Sequence, residues 1–270
     1  MTTDGRRTAR AFALSVYAAL CLLVPALMLW VGARSSGIDL GQALSGSVDW
    51  EGFRRLLFDD GQRAMDFRRS VGRGVLYATL VAALSTVIAF SFAVWTAHWP
   101  RKNGVGLAFV LLTLVLLPQT YLLMPGLVLL HNMPIRLPEW LLICTFLFIG
   151  TLPVAAWACY MLATPRIRNM QQLCATDGTI LLDCIRRTGR YVSVELVVVF
   201  VLAWALAWGN FLVPFSLGSR QSFPAVVQIA TFTTNLGRDW AMIAAASFVV
   251  SLPGVIAGVI VGLRSISSKA

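Results

Sequence analysis

The sequence predicts an all-α, polytopic membrane protein, and two observations carry that prediction. Of its 270 residues, 58% are hydrophobic and only 13% are charged, whereas a soluble domain carries about 25% charged residues. The apolar residues also gather in long runs, and most charged residues lie between the runs. This pattern indicates helices that are surrounded by lipid.

Six runs reach the length of about 20 apolar residues that a helix needs to cross the bilayer core. We expect them to form one transmembrane domain over residues 1–270. The expected spans are Ala11–Val31, Val71–Ala97, Val105–Leu130, Trp140–Ala163, Val194–Leu217 and Ala241–Leu263. The basic flank of the first run also suits a signal peptide, but its length and the lack of a small-residue cleavage site favour a retained span.

Arginine residues in the short loops predict that both termini are cytoplasmic. The first outer segment, residues 34–70, is rich in arginine as well, but it is long and carries acidic residues that balance them. Within it, "SVDWEGFRRLLFDD" has helical spacing of apolar residues. This stretch predicts either a short amphipathic helix at the outer surface or an ordinary folded loop.

Several function classes find no support in the sequence. The net charge of +10 comes from arginines between spans, without a nucleic-acid motif, so we expect no nucleic-acid partner. We expect no catalytic residue and no metal site. The five cysteines lack metal spacing, and Cys174 and Cys184 would stand about 15 Å apart on one continuous helix. We therefore interpret all five as reduced packing residues.

Span 3 contains the stretch "LPQTYLLMPG", in which Pro118 and Pro125 predict helix breaks. Gln119 and Tyr121 lie beside these breaks and either line a translocation path or sit in a structural bend. Trp208 and Asn210 in span 5 offer the same two alternatives, since an aromatic face stacks on a sugar ring and an amide bonds its hydroxyls. No ionisable residue lies deep inside a span, which disfavours an ion-coupled carrier.

The inner loop over residues 164–193 predicts a helix, a turn and a second helix. "RNMQQLCAT" is compatible with a helix, Asp177-Gly178 is a turn signal, and "TILLDCIRR" places apolar residues on one helical face. This loop has two alternative interpretations. It is either a solvated basic loop against lipid or, more specifically, a helix presented to a soluble partner.

This loop resembles that of the maltose-type permease subunits of carbohydrate ABC importers. The family pattern runs Glu-Ala-Ala-x-x-Asp-Gly, and the chain has "QLCATDG" over Gln172–Gly178, with Arg187 at the family's later arginine. The acid and both alanines of the pattern are replaced. "AWGNFLVP", "DWAMIAAASFVVSLP" and "LLPQTYLLMPGLVLL" are similar, in order, to further stretches of the family.

The resemblance implies a permease subunit in a bacterial cytoplasmic membrane that moves a sugar or a sugar-like solute. It implies a second permease chain, two ATPase subunits that bind ATP and Mg, and an extracytoplasmic substrate-binding protein. It also implies that the inner loop couples to the ATPase through Gln172, Thr176, Asp177, Gly178 and Arg187. The alternative is a polytopic membrane protein outside the ABC class, a secondary carrier or a scaffold.

Overall fold

The computed structural model describes residues 23, 25–31, 50–97, 101–116, 125, 128, 138–178, 180–234 and 237–267. These residues are mainly helical. The helices are α1 (Glu51–Phe58), α2 (Gln62–Thr96), α3 (Arg101–Leu116), α4 (Glu139–Thr176), α5 (Leu181–Tyr191), α6 (Ser193–Trp208), α7 (Leu212–Leu217), α8 (Ala225–Gln228) and α9 (Trp240–Ser267), with a 3-10 turn over Ile229–Phe232. Strands β1 (Thr233–Thr234) and β2 (Gly237–Arg238) form a small antiparallel ladder, in which Thr233 pairs with Arg238.

Two described helices, α2 and α4, are long and apolar enough to cross a membrane. A third candidate exists if the end of α5 and all of α6 count as one span, although they meet at a bend of 71°. The described part of α9 contributes a shorter apolar helix, Trp240–Ile256. The helical fold class is thus confirmed with two or three candidate spans, while the arrangement of six spans remains a prediction.

The helix α2 buries several small residues and exposes several large apolar residues along its spanning part. Ala82, Ala89 and Ala93 are fully buried, whereas Leu80 and Leu84 are each about half exposed. A helix in water shows the opposite arrangement, because large apolar side chains drive burial there. Small residues between helices and leucine on the outer face are typical of helices packed in lipid.

Span 5 differs from its prediction as one helix over Val194–Leu217. The helix α6 ends at Trp208, and α7 begins only at Leu212. Gly209 is a poor helix former, and the side-chain oxygen of Asn210 accepts a hydrogen bond from the amide of Val213 at 3.1 Å. Asn210 therefore caps the first turn of α7 and stabilises the break.

The chain divides into two compact units: residues 1–72 with 224–270, and residues 73–223. In the first unit, α1 confirms the predicted short helix near the start of the chain. Its apolar face packs on protein, since Leu56 is fully buried and Phe53 meets Phe248 edge to face. Phe67 and Phe232 form a second ring contact, with centroids 5.9 Å apart.

The second unit is built on α4, which packs against α3, α5, α6 and α7. Its core is rich in alanine, with Ala155, Ala163 and Ala203 fully buried. Alanine lets helix backbones approach closely in lipid. A polar contact crosses this core, where the hydroxyls of Ser85 and Thr151 lie 3.2 Å apart.

Candidate functional site

The inner loop contains the predicted turn. The helix α4 ends at Thr176, and the amide of Asp177 donates to the carbonyl of Leu173 at 2.9 Å. Gly178 follows with a φ of 62°, in the left-handed region. Glycine adopts this conformation without the clash that a Cβ atom causes. The prediction that Asp177-Gly178 ends the first helix is confirmed.

The first helix of the loop is an extension of span 4 and has no break of its own. The predicted loop begins at residue 164, yet α4 continues without interruption from Glu139 to Thr176. Thirteen residues of α4 follow Ala163, the expected end of the span. At 1.5 Å per residue they extend the helix by about 20 Å. The turn is thereby carried on a continuous helical arm, which contains Pro165.

The predicted coupling residues around the turn are all exposed. Gln172 and Thr176 are one helical turn apart, and the hydroxyl of Thr176 donates to the carbonyl of Gln172 at 3.0 Å. Leu173 and Ile180 are also exposed, at 60% and 74%, although both side chains are apolar. We call this region the loop surface; its members are Gln172, Leu173, Thr176, Asp177, Gly178, Ile180, Arg186 and Arg187.

The arm is anchored to the end of α2 by two side chains. The Arg168 guanidinium donates through Nε to the carbonyl of Ala97 at 3.0 Å. The Gln171 amide donates through Nε2 to the carbonyl of Val94 at 3.1 Å. The last carbonyls of a helix lack an intrahelical partner, and both bonds are made to carbonyls at this end of α2. Sequence reasoning missed this anchor, because no pattern links residues more than 70 positions apart.

An ion pair joins the arm to the start of α6. The Arg166 guanidinium contacts the carboxylate of Glu195. The Glu195 side chain is only 11% exposed, whereas that of Arg166 is 54% exposed. The second carboxylate oxygen, Oε2, is buried without a hydrogen-bond partner in the described structure. Glu195 therefore depends on Arg166 for the stabilisation of its charge.

Cys174 and Cys184 lie on two different helices, which corrects the expectation of one continuous helix. The turn at Asp177-Gly178 lies between them. Burial and a hydrogen bond with the Cys174 side chain raise the pKa of the Cys184 thiol, while the hydroxyl of Thr188 and the charge of Arg187 act in the opposite direction. The separation of about 15 Å that one continuous helix would give therefore does not apply.

The proposed path residues are only partly within the described structure. Gln119 and Tyr121 lie outside the described residues. Trp208 is buried and stacks on Trp204, with ring centroids 5.3 Å apart and planes 9° apart. The Trp204 indole donates to the Thr79 hydroxyl at 3.1 Å. One face of the Trp208 ring is thus covered by protein, and Asn210 is engaged in the cap of α7.

Hydrogen bonds join the N-terminal end of α4 to the segment after α7. Oε2 of Glu139 accepts hydrogen bonds from the Ser219 amide at 3.0 Å and from the hydroxyls of Ser219 and Ser222, both at 2.7 Å. Glu139 precedes the expected span. The hydrogen bonds from Ser222 and Ser219 lower the pKa of its carboxyl group.

Comparison with known proteins adds no assignment. No protein-family model matches the chain, and no curated protein matches it significantly. The case for function therefore depends on the sequence resemblance and on the geometry of the loop.

Proposed function

We propose that this chain is the permease subunit of an ABC importer in a bacterial cytoplasmic membrane, moving a sugar or a sugar-like solute. The proposal rests on one structural observation above others. An exposed loop surface sits on a helical extension of a spanning-length helix, and that extension is hydrogen-bonded to the end of a second helix of spanning length. A displacement of the loop surface by a bound partner would therefore move both helices.

The chemistry of the loop surface suits a protein partner. Leu173 and Ile180 offer exposed apolar area, and Gln172, Thr176 and the two arginines offer exposed polar groups. Protein interfaces commonly combine an apolar core with a polar rim. In the proposed assembly, Gln172, Thr176, Asp177 and Gly178 contact an ATPase subunit, and Arg187 meets an acidic group of that subunit or a lipid headgroup.

The remaining parts of the assembly follow from the same proposal. Two ATPase subunits bind ATP and Mg and perform the hydrolysis, so this chain is not itself an enzyme. A second permease chain completes the pathway, and an extracytoplasmic binding protein delivers the solute. Closure of the ATPase pair moves the two loop surfaces together and switches the spans between outward and inward access.

The solute path is the most detailed part of the proposal. Gln119 and Tyr121 beside the proline breaks, and Trp208 and Asn210 at the break of span 5, are the proposed lining residues. The break gives this role physical support, since interrupted helices in membranes expose backbone groups where they line a cavity. A neutral, hydroxyl-rich solute fits a path without buried charges.

Co-expression of the chain with the products of its neighbouring genes tests the proposal. The expected result is a complex that contains an ATPase with a phosphate-binding loop and that hydrolyses ATP faster with a loaded binding protein. The chain purified alone is expected to hydrolyse no ATP. Solute uptake by the pure chain in vesicles, driven by an ion gradient without ATP, would support a secondary carrier instead.

A further inference from the structure

The helix α1 carries large apolar side chains on two sides. One side packs within its own unit, where Leu56 is fully buried. On the other side, Trp50, Leu57 and Phe58 are 50%, 39% and 78% exposed. Leu57 and Phe58 follow Trp50 by about two helical turns, which returns the chain to the same side of the helix. We call these three residues, together with the exposed Arg54 one turn after Trp50, the aromatic face of α1.

Ring contacts within the unit hold α1 beside an apolar helix. The ring centroid of Trp50 lies 5.6 Å from that of Phe53, and the ring of Phe53 meets that of Phe248 at 5.8 Å. Phe248 lies about two helical turns after Trp240, where α9 begins. The stretch Trp240–Ile256 is an apolar helix. The aromatic face is therefore held next to the first turns of an apolar helix.

The backbone holds Trp50 in a conformation that a bulky side chain disfavours. Its φ of 56° and ψ of 16° lie in the left-handed region. Trp50 precedes α1 as its N-cap, a position that favours Ser, Thr, Asp or Asn, and its side chain forms no capping bond. Helix formation therefore does not account for a tryptophan here. Strained residues cluster at functional sites, so this outlier points to a role for the exposed ring.

The composition of the aromatic face fits the boundary between lipid and water. Indole rings collect at the level of the lipid headgroups because they are partly apolar and partly polar. Arg54 forms no ion pair among the described residues, and a long arginine side chain can cross apolar surface to reach a phosphate. Asp59 and Asp60 follow α1 and are exposed, so a strongly polar stretch comes directly after the face.

We propose that the aromatic face of α1 lies in the headgroup layer of the bilayer and binds phospholipid there. The side chains of Trp50, Leu57 and Phe58 contact the upper acyl chains, and the Arg54 guanidinium binds a phosphate. Lipid is favoured over a soluble protein, because the lipid around the apolar helix α9 also reaches α1 beside it. The contact needs only a membrane around α9, and it does not depend on the proposed transport role.

Photolabelling of the full-length chain in lipid tests this contact. The purified protein is reconstituted into phosphatidylcholine nanodiscs that contain phospholipids with a diazirine either near the headgroup or near the end of the acyl chain. The expected result is that the shallow diazirine labels Trp50, Leu57 or Phe58. Leu84, half exposed on α2, is the positive control for the deep diazirine, and the fully buried Leu56 is the negative control within α1. Labelling of Leu84 without shallow labelling of the aromatic face would overturn the proposal.

A paired substitution separates the lipid contact from the packing of α1. In Trp50→Ser with Phe58→Ser, shallow labelling of Leu57 is expected to fall several-fold, while deep labelling of Leu84 stays unchanged. Asp60→Ser, an exposed position beside the face, is the control and is expected to leave the labelling of Leu57 as it is. Unchanged labelling of Leu57 in the paired variant would contradict the proposed role of the two rings. The wild-type map decides the proposal even if the paired variant fails to fold.

Discussion

The Arg168 guanidinium donates a hydrogen bond to the carbonyl of Ala97, across more than 70 residues of sequence. This bond lies one turn of α4 from the Gln171 bond to Val94. Together they join the arm of α4 to the end of α2. The loop surface is therefore connected to two helices of spanning length rather than to one.

We expect the replacement Arg168→Met to loosen this connection. It removes a charge-assisted bond to a helix carbonyl, and we expect a loss of about 1 kcal/mol in stability because the site is half-buried. The thermal unfolding midpoint in detergent measures the loss. Arg186→Met is the matched control, since Arg186 is exposed on α5. Equal midpoints for both variants would show that the anchor does not contribute to stability.

The ion pair of Arg166 and Glu195 predicts that a second substitution partly restores the stability lost by the first. Arg166→Met leaves a buried carboxylate without its cation, and we expect a cost of about 1–3 kcal/mol. Adding Glu195→Gln removes the unpaired charge, so the double variant is expected to be more stable than Arg166→Met alone. A double-mutant cycle on thermal unfolding measures the difference. A double variant that is less stable than the single one would contradict this interpretation.

The hydrogen bonds of Glu139 to Ser219 and Ser222 predict that the stability of the fold depends on pH. Its serine hydrogen bonds lower the pKa of the carboxyl group in the folded chain. A lowered folded-state pKa stabilises the fold above the ordinary pKa of Glu, and this contribution is lost as pH falls through the folded value. We expect Glu139→Ala to lower the unfolding midpoint at neutral pH and to lose less stability on acidification than the wild type. Glu51→Ala, which removes an exposed i,i+4 pair with Arg55, is the control.

Much of the fold could be predicted from the sequence, because its signals are local. Long apolar runs predicted the helices α2 and α4, and Asp177-Gly178 predicted the turn that the φ of Gly178 confirms. The break in span 5 was present in the sequence as Gly209-Asn210. It was missed because a run of apolar residues on both sides outweighed two weak helix formers.

The contacts that define the site could not be predicted in the same way. The pairs Arg168–Ala97, Arg166–Glu195 and Cys174–Cys184 depend on how helices pack or reverse, which periodicity within one helix does not determine. The cysteine expectation shows the reason most directly. Helical rise gives a separation only if the helix continues, and here a turn with a glycine in the left-handed region interrupts it.

The last prediction concerns Gly178, whose φ of 62° is the condition for the turn. Apart from its chain neighbours, no described residue has an atom within 4 Å of a Cβ added there, so a substitution acts through backbone strain rather than through a clash. We expect Gly178→Val to cost about 1–2 kcal/mol or to shift the turn, since L residues disfavour this region.

In the proposed complex, Gly178→Val with Asp177→Ala is expected to leave assembly intact while a loaded binding protein no longer stimulates ATP hydrolysis. Gly72→Ala, also without neighbours but inside the helix α2, is the control and is expected to be neutral or stabilising. Unchanged stimulation in the double variant would show that coupling does not pass through this turn.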